Sequence, residues 1–355
     1  MDMKWSLNEL YSSFESQEFK DDMVSFENSI KHINKWTVEN CKTLNNPKEK
    51  IETYINFENE FNDLVNKLYN YAELSTSVDT KNEVANKISE EITFKLSGLA
   101  KSSTIFSKWL NSIEDLISII EASPLLKSHS YYLNNLSENA KFLLSDIEEE
   151  LMAKMKNTGS DAWSKLQNVL SSNLLVDITI NGGDKKLPLS MVRNMAYDKD
   201  ENNRKNAYES ELKAYVKIEE SSSFALNSIK GEVITLSSAR GYESVLQNTL
   251  EDSRMDKETL DVMLSVMLES LPSFQKYFKK KAELLGHSSG LPFYELFAPV
   301  RNVNMRFTLD EARVFIVKNF RVFSDKLADY ADNAFEHNWI DSAPKEGKLG
   351  GEIGR

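Results

Sequence analysis

The sequence predicts a mainly α protein, an irregular multi-helix assembly with one short β-hairpin near 174–189 and short extended segments near the carboxyl terminus. Three observations carry this expectation. Only 12 Gly and 7 Pro occur in 355 residues, and these are the residues that turns and long loops consume most. Long segments place apolar residues three and four apart with charges between them, the period of a helix with one buried face. A single stretch switches to period two and meets a turn signal.

Taken in order, apolar stripes run through about 18–40, then from Ile51 through Tyr54, Ile55, Phe61, Leu64, Val65 and Leu68 to Ala72. The second is preceded by Asn46 as a candidate N-cap, Pro47 at the first helical position and Glu49 in the first turn. Further stripes cover about 81–101, 103–121, 136–157 and 160–171, with breaks expected near Asn45-Asn46, Ser75-Thr76-Ser77 and Ser123-Pro124. Such pieces pack as an antiparallel helical assembly. No fixed repeat period is visible, which disfavours a solenoid.

At Leu174-Leu-Val-Asp-Ile-Thr-Ile180, β-branched residues alternate with polar ones and reach Asn181-Gly182-Gly183, then Lys186-Leu-Pro-Leu189. That is a hairpin signature and the best boundary. Downstream, Asp198 to Ala239 reads as one or two long helices interrupted by Gly241. Asp256 caps the next helix, whose stripe from Leu260 to Phe278 continues past Pro272, where a kink is expected. Residues 288–299 lose helical periodicity, Thr308-Leu-Asp-Glu311 supplies a capping box for a helix to about Glu336, and the stretch from Trp339 reads as loop or extended chain. The length suggests two domains, at about 150 residues each.

With 43 basic and 55 acidic residues the net charge is −12, which repels phosphate backbones and anionic lipid and leaves nucleic acid and membrane as unexpected partners. Lys279-Lys280-Lys281 reads as the solvated end of a helix. A single Cys41 excludes an internal disulfide and fits a reducing compartment. No stretch approaches the about 20 apolar residues of a membrane span, and no signal peptide is visible at the start. Cytoplasm is the expected location.

The chemistry-bearing residues do not assemble into a familiar site. Zinc hydrolysis needs two imidazoles one helical turn apart with a carboxylate between them, whereas His32, His129, His287 and His337 are all isolated in the sequence. His287-Ser288-Ser289 reads as a loop. Asp146, Glu148, Glu149 and Glu150 fan out around a helix as a solvated face. Gly347, Gly350 and Gly351 with Lys345 and Lys348 lack the spacing of a phosphate-binding loop. Met263 and Met267 read as core rather than a binding groove. No residue is assigned a catalytic, cofactor-binding or metal-ligating role.

Several spaced segments together resemble the oligoendopeptidase F family of zinc metallopeptidases, relatives of the thimet-type oligopeptidases. The first is Trp5-Ser-Leu7 with Leu10-Tyr11; then, after the hairpin, Asp198, Arg204 and Ala239-Arg240-Gly241-Tyr242 follow. Tyr277, Lys281, Leu285-Gly286 and Tyr294-Glu295-Leu-Phe-Ala-Pro299 continue the order. Trp339-Ile-Asp341, Pro344, Glu346-Gly347-Lys348 and Gly350-Gly351 resemble the segment that precedes the family's zinc helix. Glu295 stands where the family more often has Asp, and Gly351 is followed by Glu-Ile-Gly-Arg.

The resemblance implies a division into an amino-terminal helical domain over 1–195, ending in the hairpin, and the first part of a peptidase domain over 196–355, cut short before the zinc motif. It implies that the His-Glu-x-x-His helix, the downstream glutamate ligand and the oxyanion-stabilising groups lie beyond residue 355. Zinc is then the cofactor of a full-length member and is not held by this chain alone. Short peptides and a catalytic carboxyl-terminal half are the expected partners. This chain would supply walls of the peptide channel and be inactive by itself. A non-catalytic helical module that binds peptides or docks on a partner is the alternative.

Overall fold

The computed structural model describes residues 4–180, 182–300, 307–343, 345, 347 and 348. These residues form sixteen α-helices and one two-stranded antiparallel sheet, so the mainly α expectation and its single hairpin are borne out. The helices are α1 (Gln17–Asn40), α2 (Pro47–Val78), α3 (Glu83–Leu96), α4 (Ala100–Asn111), α5 (Leu116–Glu121), α6 (Pro124–Ser128), α7 (Ser130–Asn139) and α8 (Asp146–Thr158). After α9 (Ser160–Ser172) come β1 (Leu175–Ile180), β2 (Gly183–Pro188), α10 (Leu189–Asn194), α11 (Glu201–Tyr215) and α12 (Glu219–Ala239). The series ends with α13 (Val245–Asp252), α14 (Lys257–Leu284), α15 (Leu309–Phe323) and α16 (Asp325–Glu336).

Side-chain chemistry at the helix ends accounts for most boundaries, including those that periodicity misplaced. Asn46 sits at the start of α2 in a left-handed conformation (φ 50°) and makes no side-chain cap, contrary to its expected role; Pro47 opens the helix. The break expected at Ser75-Thr76-Ser77 does not occur. Ser75 and Ser77 donate their hydroxyls to the carbonyls of Tyr71 and Leu74, so the helix keeps its course. Conversely, the stripe over 103–121 divides because Asp115 starts α5 by accepting from the Ser118 amide. The stripe over 136–157 divides because Ser145 and Glu148 form a reciprocal capping box at α8. Thr308 and Glu311 build the expected box at α15, yet that helix ends at Phe323, where Ser324 caps α16 instead.

The chain separates into two compact units, one of residues 7–165 with 228–243, the other of residues up to 6 with 166–227 and from 244 onward. In the first unit, Phe26, Ile51, Leu68, Ile92, Phe106, Leu110 and Leu133 are fully buried in one apolar core. Tyr54 stacks on Phe106 with ring centroids 3.5 Å apart and 9° between planes. The apolar run at 116–120 is only half core: Leu116 and Ile120 are buried and Ile117 is exposed. In the second unit, a smaller core joins Leu174, just before β1, and Val176 and Ile178 on one face of β1 to Leu189, Val192, Ala207 and Ala214. The hairpin register pairs Ile180 with Gly183 and Leu175 with Pro188. Gly182 has φ 78°, the backbone that such a two-residue connection demands; Asn181 lies outside the described residues.

The first unit also holds a half-buried carboxyl. Tyr132 donates its hydroxyl to both oxygens of Glu58 at 2.9 and 2.8 Å. Burial raises the Glu58 carboxyl above its ordinary value, opposed by the Tyr132 and Tyr54 hydrogen bonds and the nearby His129. A raised folded-state value means that this group's contribution is complete below the ordinary carboxylate value of 4.5 and is lost as pH rises through the folded one. Thermal melts of Glu58→Gln should therefore gain on those of the unaltered chain between about pH 4 and about pH 7. A constant difference in Tm across that interval would contradict the assignment.

Candidate functional site

The densest set of buried ionisable groups lies in the second unit, where α11 begins. The Asp198 carboxylate accepts from the Asp200 amide and Asp200 accepts from the Asn202 amide, both at 2.8 Å, which turns the chain and caps α11. One turn into the helix, Arg204 is 5% exposed. Its Nη1 donates back to the carbonyls of Asp198 and Lys199 at 2.7 and 3.0 Å. Nη2 donates to both oxygens of Glu295, at 2.8 and 2.6 Å. Glu295 is wholly buried at the end of a short 3-10 turn over Phe293–Glu295. An ionised pair taken this far from water is costly unless hydrogen-bonded; the two carbonyls fill Nη1 and the carboxylate fills Nη2, while the buried Nε is left without a partner.

A third element closes the site. Lys281, near the end of α14, is buried and donates to the Leu296 carbonyl at 2.8 Å. Burial pushes its ammonium below the ordinary value, with Glu295 opposing and Arg204 reinforcing. Just beyond, Gly286 takes φ 84° and its amide bonds to the Glu283 carbonyl, while the His287 amide bonds to Ala282. Those two bonds and the left-handed residue are the Schellman ending, which glycine adopts without strain. The ending delivers His287 to the carboxylates: its Nε2 lies 3.9 Å from Oε1 of both Glu201 and Glu295. That nitrogen is buried with no hydrogen-bond partner.

Glu201, His287 and Glu295 offer ligand atoms within 4.8 Å of one another, a donor set that a divalent cation can use. Charge decides against that reading. Glu295 already faces the Arg204 guanidinium, and Lys281 stands beside both. Glu295 is thus already committed to Arg204 with Lys281 nearby, and a doubly charged ion would meet both cations in a poorly screened site. The arrangement is an internal ion-pair network that ties the 293–298 segment to α11 and α14.

Next to the network, α10, α11 and the 293–297 segment enclose a cavity of about 360 Å³. Val192 and Ala207 line it, and both are buried. Its walls are aromatic: Tyr197 lies against Phe297 with ring centroids 5.2 Å apart, and Tyr208 against Phe293 and Tyr294 at 5.6 and 6.3 Å.

The other residues singled out in the sequence fall into structural roles. His32 meets the Phe57 ring edge-on, His129 bonds to the Leu125 carbonyl, and His337 ends α16 with its ring 5.6 Å from Trp339. Of the acidic group, Glu148 caps α8 and Glu150 pairs with Lys154, but Glu149 is not solvated. It is 6% exposed and accepts from the Leu144 amide and from Arg240 Nη2 at 2.7 Å. Arg240 ends α12, Gly241 (φ 79°) forms a second Schellman ending, and Tyr242 stacks on Phe142 at 4.0 Å, so the Ala239–Tyr242 segment is a clasp within the first unit. Lys280 pairs with Glu283, as a solvated helix end would, while Lys281 is buried and corrects that reading. The Met263 and Met267 stripe is exposed rather than core: α14 buries only Lys281 and Ala282. Near the carboxyl terminus, Lys348 donates to the Asp341 carboxylate and to the carbonyls of Asp341 and Ala343, and Trp5 and Ser6 donate their amides to Asp341 and Asn338. Pro344, Glu346, Gly350 and Gly351 lie outside the described residues.

Sequence spacing gave no sign that His287 faces carboxylates, because its partners lie 86 residues before it and eight after it. The nearest local signal was Leu285-Gly286, a helix-stop glycine directly before the imidazole. The Arg204–Glu295 pair spans 91 positions and has no local signature at all.

Comparison with known proteins gives a consistent set. The family model described as Oligopeptidase F matches residues 112–174. Oligopeptidase PepF of Bacillus subtilis is 21% identical over 309 residues, covering 84% of this chain and 45% of its own length. Group B oligopeptidase PepB of Streptococcus agalactiae is 20% identical over 289 residues, covering 80% of this chain and 48% of its own. In three dimensions, oligoendopeptidase-F from Enterococcus faecium superposes with a TM-score of 0.69 and 18% identity, over 94% of this chain and 69% of that one. The chain spans about half the length of the curated relatives it matches.

Proposed function

We propose that the chain is a member of the oligoendopeptidase F family, to which its relatives and structural neighbours point, and is the amino-terminal part of a zinc metalloendopeptidase that cleaves short peptides. In this reading it contributes walls of the substrate channel and is inactive alone. The observation that carries the proposal is the ordered set of family-like segments from Trp5 to Lys348, whose members Arg204, Lys281 and Glu295 meet in one buried network. Residues 1–195 act as the amino-terminal helical domain and 196–355 as the first part of the peptidase domain. The 355 residues contain no His-Glu-x-x-His, so the zinc that polarises the attacking water belongs to residues outside them. The family is one of metallopeptidases. None of the helices among the described residues is long and apolar enough to cross a membrane, and a cytoplasmic location suits the acidic chain with its lone Cys41.

One observation favours the alternative, a non-catalytic module that binds peptides or docks on a partner. Helix α14 leaves Val262, Met267, Leu268 and Phe274 exposed, and none of the residues of α15 is buried. Such apolar faces are the mark of surfaces that meet another polypeptide. Zinc analysis and a quenched fluorescent peptide separate the two readings. The peptidase-part reading expects well under one zinc per chain, no cleavage by the chain alone, and cleavage restored by a catalytic half from a relative. Monodisperse chain that binds peptide without metal, and gains no activity from any catalytic half, favours the module. Tight one-to-one zinc with cleavage by this chain overturns both.

A further inference from the structure

We propose that the aromatic cavity between α10, α11 and the 293–297 segment is a subsite that takes an aromatic side chain of an uncharged stretch of peptide. The choice of peptide as the ligand rests on the peptide-handling reading above; the cavity and its chemistry do not.

The cavity, at about 360 Å³, has room for one large side chain and the backbone on either side of it. Its wall rings are oddly placed for a purely structural cluster. Tyr197, Phe293 and Phe297 are 61%, 69% and 50% exposed, which keeps three large apolar faces in water beside a ready-made recess. Rings set at 5–6 Å from one another leave edges and faces free for another ring to stack or meet edge-on.

The polar groups at the cavity decide what such a ring is attached to. Arg193 donates to Glu211 at 2.9 Å and to the Tyr215 hydroxyl, which in turn donates to Glu211. Arg193 and Glu211 both line the cavity and neutralise each other, and Arg204, the other charged residue of the lining, is neutralised by Glu295. A charged ligand head would have to compete with that pair and gains no net field. A peptide group, neutral with one donor and one acceptor, can bond to Glu211 and Arg193 without separating them. The apolar walls and the neutral polar edge thus select an internal peptide segment with an aromatic residue, over a free amino acid or a phosphate ester.

The test uses the whole chain and three probes, N-acetyl-tryptophanamide, N-acetyl-phenylalaninamide and N-acetyl-glycinamide, titrated by NMR line broadening. Saturable binding of the two aromatic amides is expected, with the glycinamide at least about tenfold weaker. Phe293→Ala and Tyr197→Ala should each weaken the aromatic amides by about two- to tenfold. Phe323→Ala, a still more exposed ring on α15, should leave them unchanged, and because all three positions are exposed the far-UV spectrum should not move. Equal affinity for all three amides, equal loss in Phe323→Ala, or self-association of the chain abolished by Phe293→Ala would each overturn the subsite, the last by making the patch a contact between copies. A longer aromatic peptide that binds Phe293→Ala as well as the unaltered chain also counts against the subsite while sparing the peptide reading. Amides that bind where no longer peptide does would leave the subsite standing and count against that reading.

Discussion

Replacing Glu295 with Gln should lower the free energy of unfolding by about 3–5 kcal/mol, the range seen when one partner of a buried ion pair is removed. The carboxylate is wholly inaccessible, and both its oxygens accept from Arg204 Nη2. The amide keeps one acceptor oxygen but turns the other into a donor facing Nη2, and leaves the buried guanidinium charge without its counter-ion, with the carbonyls of Asp198 and Lys199 still bound to Nη1. Arg204→Met should cost a similar amount by orphaning the carboxylate next to His287 and Lys281. The double change Arg204→Met with Glu295→Leu should cost clearly less than the sum of the two, since two matched apolar side chains need no partner. Glu295→Asp keeps the charge but shortens the reach and should fall between the unaltered chain and Glu295→Gln. Urea unfolding followed by far-UV circular dichroism measures all four. Strict additivity, or a single-site cost below about 1 kcal/mol as for an exposed pair, would show that the pair is solvated.

Phe106→Ala should cost about 3–5 kcal/mol, the range for emptying a buried aromatic site. Its ring is inaccessible, lies flat on Tyr54, and adjoins Trp109 at 5.7 Å. Deleting it removes apolar burial and leaves a void lined by rings whose positions are set by helices from both sides, so collapse cannot refill it. Phe323→Ala, 85% exposed, is the control and should stay within about 0.5 kcal/mol. A cost for Phe106→Ala no larger than for the control would mean that the first unit lacks the packed core assigned to it.

The residues that made the fold legible act over one or two helical turns. Asp256, Thr308 with Glu311, Gly241 and Gly286 start or stop helices through groups within five residues of themselves, and each sits where its local chemistry requires. The alternation over 174–180 with the Asn181-Gly182-Gly183 turn signal likewise declared a hairpin. The misplacements came where two local signals competed. At Ser75-Thr76-Ser77 hydroxyls were read as a break, but in a helix they can bond to the preceding turn. At Ser145 an apolar stripe carried the helix through a residue that, with Glu148, caps a new one.

Burial of charge is a different kind of fact. Lys281 and Lys280 are neighbours in a run of three identical side chains, yet Lys281 bonds to the Leu296 carbonyl and Lys280 faces solvent beside Glu283. Glu149 and Glu150 differ in the same way, because Arg240 arrives from α12 over 91 positions to meet only the first. Composition and period thus determined by themselves that the chain is mainly helical with one hairpin, and the ordered motifs carried a resemblance to the oligoendopeptidase F family. Only the tertiary structure decided which of its charges are buried, that Arg204, Lys281, His287 and Glu295 share one network, and that five aromatic rings line one cavity. The physical reason is range: helix propensity, capping and turn chemistry are interactions between near neighbours along the chain, while desolvation and ion pairing depend on whatever segment the fold brings across to cover each side chain.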